Sequence, residues 1–178
     1  MRGRKYRSLV ELETAQGRIL LGLYEDTPIT SGNFENLVSQ GFYDDTIFCR
    51  IQPGFVIQGG SPDGTPDGGP EYKALKTIDA EFDLGPARHL MWTVGMARDE
   101  DPNSARSQFF INLANNRRRL DGRYTVFADV AGGVRAVKAI AGLECVPLDP
   151  VVIGGETKNI GGTPKSKDEA RILRAYIV

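Results

Sequence analysis

The chain has 178 residues, the size of one domain, of which 40% are apolar and 25% charged, as in soluble globular proteins rather than disordered chains. Its 22 Lys and Arg against 23 Asp and Glu give a net charge of −1, which removes the global electrostatic argument for binding nucleic acid or an anionic membrane. No apolar run approaches the ~20 residues of a membrane span, and no signal peptide follows the basic start. We therefore expect a cytoplasmic location; a periplasmic or secreted one would require that a signal peptide was removed.

Short runs with a period of two predict strands, and two longer segments with helical periodicity predict helices. In chain order these are a β-hairpin over 8–14 and 18–24, a helix from Thr27–Pro28 to Gly41, strands at 47–51, 55–59, 91–97, 108–113 and 124–130, a helix over 133–141, and strands at 151–153 and 171–178. Residues 59–70 and 154–167 are predicted to be loops. Many short strands with two widely separated helices favour a mainly antiparallel barrel, closed to remove its edges and capped by the helices.

The nucleophilic and metal-binding residues give little support to covalent or metal chemistry. Cys49 and Cys145 form no C-x-x-C pair, which argues against zinc. Cys49 lies in an apolar run and is predicted to be a buried free thiol, although the sequence leaves a Cys49–Cys145 disulfide open. A Ser-His-Asp triad would have to use His89, the only histidine, and no G-x-S-x-G surrounds a serine. His89 is predicted to be a structural, hydrogen-bonded residue.

Two polar segments are interpreted as surface loops. Residues 59–69 hold glycines and carboxylates, but they lack both the G-K-[ST] of a phosphate loop and the ligand spacing of a calcium loop. The run 117–119 contains three arginines and is predicted to be a solvated loop. The alternative for this run is that it biases the surface toward acidic ligands.

One predicted strand carries an amide beside an aromatic ring on its outer face. In a strand over 108–113, Gln108 and Phe110 share one face, while Phe109 and Ile111 take the other and form the natural core. Folding alone does not require a glutamine next to an exposed phenylalanine. This face is therefore a candidate binding surface.

A similar polar and apolar mixture surrounds Arg50, which ends a strongly apolar run. Val56 and Gln58 share a face of the following strand. Phe55 joins that face only if the Pro53–Gly54 turn breaks the alternation. On spacing alone, these residues are best interpreted as ordinary strand-surface positions.

Together, these segments resemble the cyclophilin family of peptidyl-prolyl cis/trans isomerases over roughly residues 8 to 142. The matching motifs, in family order, are Asn33-Phe34, Gly41-Phe42-Tyr43-Asp44, Phe48-Cys49-Arg50, Pro53-Gly54-Phe55-Val56-Ile57-Gln58-Gly59-Gly60, Met96-Ala97, Ser107-Gln108-Phe109-Phe110-Ile111, Leu120-Asp121-Gly122 and Val126-Phe127. The resemblance implies a mainly β fold, a closed eight-stranded antiparallel β-barrel capped by two α-helices. We expect a single domain over 1–178, with an extended C-terminal segment, 143–178, that includes the closing strand.

The resemblance also implies the function and its residues. It implies an isomerase that rotates X–Pro bonds in unfolded or flexible segments and assists protein folding, without a cofactor or metal. The alternative is a non-catalytic chaperone or scaffold that binds proline-containing peptides in the same groove. The implied catalytic residues are Arg50 and Gln58, and the implied substrate-binding residues are Phe55, Val56, Ala97, Arg98, Gln108, Phe110, Arg119, Leu120 and Tyr124.

Four positions depart from the usual family pattern: Cys49 replaces a histidine, Val56 a methionine, Arg119 a tryptophan and Tyr124 a histidine. Because the tryptophan contacts cyclosporin in the family, Arg119 predicts weak binding of that drug. The expected partners are proline-containing segments of client proteins, with no nucleic acid and no membrane, and a monomer is expected.

Overall fold

A computed structural model describes residues 5–82, 85 and 87–178. The described residues form twelve strands and four helices. The strands are β1 (Tyr6–Thr14), β2 (Gly17–Tyr24), β3 (Arg50–Gln52), β4 (Val56–Gly59), β5 (Thr93–Met96), β6 (Phe109–Asn112), β7 (Val126–Gly132), β8 (Cys145–Pro147), β9 (Val151–Ile153), β10 (Glu156–Lys158), β11 (Gly162–Pro164) and β12 (Ile172–Ile177). The helices are α1 (Pro28–Ser39), α2 (Gly69–Ala74), α3 (Arg117–Leu120) and α4 (Val134–Ala141).

Ten strands form one antiparallel sheet in the order β12-β1-β2-β7-β5-β6-β4-β3-β11-β8, and β9 pairs with β10 in a separate hairpin. The first eight strands in this order surround the main core. The chain just before β3 also pairs with the start of β12: the Phe48 amide donates to the Ala170 carbonyl at 3.0 Å, and the Ile172 amide donates to the Thr46 carbonyl at 2.8 Å. These bonds connect the two ends of the eight-strand series, as closure requires.

The core follows the predicted periodicity. In α1, Phe34, Leu37 and Val38 are buried against the sheet, and in α4 Val137 and Ile140 are fully buried. Each helix therefore covers the core with one apolar face. The mainly β architecture with two long helices agrees with the prediction.

Three predictions about local structure were wrong. The segment 154–167, predicted to be a loop, contains β10 and β11, and β11 and β8 extend the sheet beyond the expected eight strands. The predicted loop 117–119 forms most of α3, and the predicted loop 59–70 already includes the start of α2. These elements are three to six residues long, too short for an apolar period to be visible in the sequence.

Among the described residues, no helix combines the length and the hydropathy needed to cross a lipid bilayer.

Candidate active site

A row of four paired residues crosses four neighbouring strands at the candidate site. Arg50 on β3 pairs with Gln58 on β4, Gln58 pairs with Phe110 on β6, and Phe110 pairs with Gly95 on β5. Directly paired residues project to the same face of a sheet. The strand register therefore brings the arginine, the amide and the aromatic ring together on one face.

The guanidinium of Arg50 is held by three acceptors. Nε donates to the Ile160 carbonyl at 2.7 Å, Nη1 donates to Oε1 of Gln58 at 2.9 Å, and Nη2 donates to Oε1 of Gln52 at 2.8 Å. A guanidinium has five N–H groups, so one on each terminal nitrogen remains for a ligand. The side chain is thus fixed in orientation and still able to donate.

Burial shapes the electrostatics around Arg50. Desolvation lowers the pKa of its guanidinium, but arginine stays protonated at neutral pH. The neighbouring Cys49 is fully buried and free, as predicted, and burial raises its pKa to about 12. Cys49 therefore remains a neutral thiol beside the cation.

An apolar slot lies on the same face as Arg50. Three buried side chains form its centre, Val56, Phe110 and Leu120, and Phe55, Ala97 and Tyr124 pack against them with partial exposure. These six residues form a cluster separate from the main core. The slot is therefore an additional apolar surface that the packing of the barrel does not use.

Phe55 reaches the slot because the strand alternation is interrupted before it. Gly54 has φ +73°, and the Phe55 amide donates to the Gln52 carbonyl at 3.0 Å, so Phe55 belongs to a turn and β4 begins only at Val56. The turn therefore breaks the alternation, which was the requirement for Phe55 to join the face of Val56 and Gln58. The carbonyl of Phe55 accepts hydrogen bonds from Nδ2 of Asn116 and from the Leu113 amide, both at 2.9 Å, which fixes the turn.

The Phe110 ring is packed from several sides. It stacks on the His89 ring at a centroid distance of 5.7 Å, and the Tyr124 ring meets it edge-on at 5.8 Å. A side chain on Gly95 would collide with the Phe110 ring, so glycine is required there for the ring to lie against the strand. These contacts give the slot a rigid floor.

His89 is the structural residue that the sequence predicted. Its ring is fully buried, Nε2 donates to the Tyr124 carbonyl at 2.9 Å, and Nδ1 accepts from Nδ2 of Asn112 at 3.2 Å. Asn116 in turn donates to Oδ1 of Asn112 at 2.8 Å. One buried polar network therefore holds the backbone at both Phe55 and Tyr124, on two walls of the slot.

The structure brings most of the predicted site residues to one cavity of about 740 Å³. The predicted residues that line it are Arg50, Phe55, Val56, Gln58, Ala97, Arg98, Phe110, Arg119, Leu120 and Tyr124. Gln108 is the exception: it is almost fully buried and is not among the lining residues. Its Oε1 accepts from Nε2 of Gln58 at 2.8 Å, and its own Nε2 donates to the Pro66 carbonyl at 3.0 Å. Gln108 therefore orients Gln58 from behind instead of facing the cavity.

Several lining residues were missed in the sequence. They are Gln52, Arg118, Arg123, Ile153, Lys158, Asn159 and Ile160. Gln52 could have been found, because it lies two positions after Arg50 on the same strand and so shares its face. Residues 153–160 come from a segment about 100 positions downstream, and nothing in the local pattern links them to Arg50.

The geometry agrees with comparisons with known proteins. Residues 9–158 match the family model described as cyclophilin type peptidyl-prolyl cis-trans isomerase/CLD. The chain belongs to the cyclophilin family. The match extends past residue 142, where the resemblance seen in the sequence ended, and includes the β9–β10 hairpin.

Individual cyclophilins resemble the chain over most of its length. A peptidyl-prolyl cis-trans isomerase-like 1 of Gibberella zeae is 40% identical over 149 residues, covering 81% of this chain and 90% of that protein. A peptidyl-prolyl cis-trans isomerase of Streptomyces antibioticus is 41% identical over 162 residues, covering 82% and 95%. The predicted family and enzyme class, a peptidyl-prolyl cis-trans isomerase, are thereby confirmed.

A solved structure supports the same fold. The Cryptosporidium parvum cyclophilin type peptidyl-prolyl cis-trans isomerase, crystallised in the presence of the dipeptide Ala-Pro, has a TM-score of 0.76 and 25% identity. The match covers 96% of this chain and 98% of that chain. The dipeptide in that crystal belongs to the predicted ligand class, proline-containing peptides.

The burial of His89 predicts a pH-dependent stability. Desolvation lowers its pKa below the ordinary 6.5, so the unfolded chain takes up this proton first as the pH falls. The free energy of unfolding should be highest above pH 6.5 and should decrease below it, by at most about 1.4 kcal/mol per pH unit from this one group. Denaturant titrations of the wild type and of His89→Gln over about pH 5 to 7 measure this. Parallel pH profiles for the two proteins would contradict the prediction.

Gln52 is predicted to be a positioning residue for Arg50. Gln52→Leu keeps the approximate size but removes the acceptor of Nη2, so kcat/KM for a prolyl peptide should fall by about tenfold, the worth of one hydrogen bond to a charged group. Gln52→Glu is the matched control, because a carboxylate oxygen replaces the amide oxygen as the acceptor of Nη2 and most of the activity should remain. An equal loss in both variants would indicate a general disturbance of β3 instead of a lost hydrogen bond.

Proposed function

We propose that the chain rotates X–Pro peptide bonds by holding the pyrrolidine ring in the apolar slot while Arg50 donates to the prolyl nitrogen of the twisted bond. The observation that carries this proposal is a half-buried guanidinium, fixed by three acceptors with two N–H groups to spare, lining the same cavity as the slot. Exposed X–Pro segments of unfolded or flexible proteins are the proposed substrates.

The chemistry requires no nucleophile, because no covalent bond is broken. Rotation about an X–Pro bond costs roughly 20 kcal/mol, since it disrupts amide conjugation. In the planar states the nitrogen lone pair is delocalised and accepts hydrogen bonds poorly. In the twisted state the lone pair is localised, so a donor placed against it binds the transition state more tightly than either isomer, which is the condition for catalysis.

Arg50 is suited to this role by its charge and by its surroundings. Its fork of donors remains cationic, and partial burial strengthens its electrostatic interactions. One preorganised donor of this kind contributes about 3–4 kcal/mol to lowering a barrier. The rest of the rate enhancement is assigned to positioning of the substrate.

Gln58 is the proposed anchor for the peptide backbone. Its Oε1 accepts from Arg50 and one N–H of its Nε2 donates to Gln108, which leaves the second N–H for a substrate carbonyl. The backbone at Ala97 and Arg98 borders the same cavity and supplies further polar groups. With one side of the X–Pro bond held here and the ring held in the slot, rotation is confined to the bond between them.

Weak cyclosporin binding remains a proposal, and the position of Arg119 supports it. Its guanidinium lies 3.8 Å from the centre of the Phe55 ring, at the wall of the slot. A charged, hydrated group at this position offers less apolar surface to a large apolar ligand than an indole would.

Arg50→Ala tests the catalytic proposal. The variant should fold normally, because the side chain lies on the outer face of the sheet, and its kcat/KM should fall by about 100-fold or more, as expected for one preorganised donor. A protease-coupled assay of proline isomerisation measures the rate, and circular dichroism confirms the fold. Arg135→Ala, which removes an exposed arginine of α4, is the matched control and should keep full activity.

Peptide affinity distinguishes the isomerase from the alternative binding module. If Arg50 acts mainly on the transition state, the variant should lose turnover while it retains most of its affinity for a proline-containing peptide in calorimetry. Near-wild-type turnover in Arg50→Ala would refute the role of this residue.

A further inference from the structure

The cavity that holds the slot has a strongly one-sided charge. Six of its lining side chains are cationic: Arg50, Arg98, Arg118, Arg119, Arg123 and Lys158. None of the described lining residues is a carboxylate. Because the whole chain has a net charge of only −1, this is a local segregation of positive charge at the active site and not a consequence of a basic composition.

Five of these cations have no carboxylate partner within ion-pair distance among the described residues; they are the five arginines. Arg98 donates to the backbone carbonyls of residues 99, 100 and 123, and its guanidinium lies 4.6 Å from the centre of the Tyr124 ring. Arg119 lies over Phe55. Carbonyls and ring faces hold these side chains in place without neutralising their charge.

Two carboxylates that adjoin the cavity arginines in the sequence form ion pairs with arginines outside the cavity. Asp99 pairs with Arg106 at 3.4 Å. Asp121 pairs with Arg117 at 3.3 Å and lies 3.8 Å from Arg88. Lys158, the sixth cation of the cavity, is paired with Glu156. The cavity therefore has five arginines without an ion-pair partner among the described residues and no carboxylate in its described lining.

We propose that this isomerase prefers X–Pro segments with anionic side chains close to the proline, an inference that rests on the proposed function of the slot. A concave site lined by one sign of charge concentrates ligands of the opposite sign. The guanidinium fork matches both carboxylate and phosphate oxygens, so glutamate, aspartate and phosphoserine share the recognised chemistry. A peptide is favoured over a nucleic acid because the charges surround an apolar slot that suits the apolar ring of proline.

Matched peptide pairs test this preference on the intact protein. Each pair differs by Glu against Gln at one of the two positions before or after the proline, and a further pair carries phosphoserine against serine before the proline. Exchange NMR measures the isomerisation rate without a protease whose own specificity would interfere. The anionic member of at least one pair should have about a tenfold higher kcat/KM, mainly through a lower KM.

Salt provides an independent readout. The higher kcat/KM of the anionic peptides should be present at about 0.01 M salt and lost at about 1 M. Between these two concentrations the Debye length falls from about 30 Å to about 3 Å. Comparison of the glutamate pairs with the phosphoserine pair shows which anion raises kcat/KM more. A preference that does not change with salt would overturn the electrostatic explanation.

Charge-reversal variants identify the residues responsible. In Arg118→Glu combined with Arg123→Glu, the ratio of kcat/KM between anionic and neutral peptides should fall to one or below. Arg135→Glu combined with Lys167→Glu changes the net charge equally at two exposed positions outside the cavity and should preserve the ratio. Equal ratios in the two double variants would show that only the net charge matters, which contradicts the proposal.

The outcomes separate this inference from the function on which it rests. Turnover of neutral peptides with equal rates in every pair would overturn the preference and leave the isomerase proposal intact. No turnover of any peptide would instead reject the isomerase proposal. Tight binding of a short oligonucleotide, with no advantage for anionic peptides, would overturn the inference and identify a nucleic-acid ligand.

Discussion

The guanidinium of Arg50 is held by acceptors from three parts of the chain: Gln52 on its own strand, Gln58 on the neighbouring strand and the Ile160 carbonyl beyond the β9–β10 hairpin. A long, flexible side chain loses its preorganisation unless several contacts fix it. Partial burial increases the effect of the charge but also its desolvation cost, and the three hydrogen bonds offset that cost. The geometry of the active site depends on this balance.

The slot beside Arg50 depends on buried polar residues that do not line the cavity. His89, Asn112 and Asn116 form a buried network whose outer bonds hold the carbonyls of Tyr124 and Phe55. Buried polar groups are costly when unpaired, so a satisfied network defines one arrangement and penalises the others. The apolar rings are therefore positioned by hydrogen bonds made behind them.

The local pattern predicted the two faces of one strand of the site, whereas the full set of site residues was implied by the resemblance to the cyclophilins. The alternation around Phe110 separated its outward ring from the inward Phe109 and Ile111, and the structure has that arrangement. Gln108 also lies on the outer face by this rule, but a strand pattern cannot show that its side chain is buried between Gln58 and the Pro66 carbonyl. Whether an outward-facing side chain lines the cavity depends on the side chains of neighbouring strands, and the sequence of one strand does not show this.

The residues that were missed depend on contacts between distant segments. Arg118 and Arg123 border the cavity because α3 and the following turn pack beside it, and a helix of four residues has too few positions to reveal a face. Ile160 contacts Arg50 and Asn159 contacts Gln52 just after a short hairpin whose strands are exposed throughout, so no apolar pattern marks it. The sequence predicted which faces are buried where an apolar pattern marks the core, and it did not predict contacts that lack such a pattern.

The contact between Arg50 and the Ile160 carbonyl spans 110 positions of the chain. The slot-forming residues up to Tyr124 are all synthesised before this acceptor. A chain synthesised only as far as Tyr124 thus contains every slot residue but lacks one of the three acceptors that hold the arginine. The catalytic geometry is therefore complete only when residues 159 and 160, synthesised after every slot residue, have packed against β3.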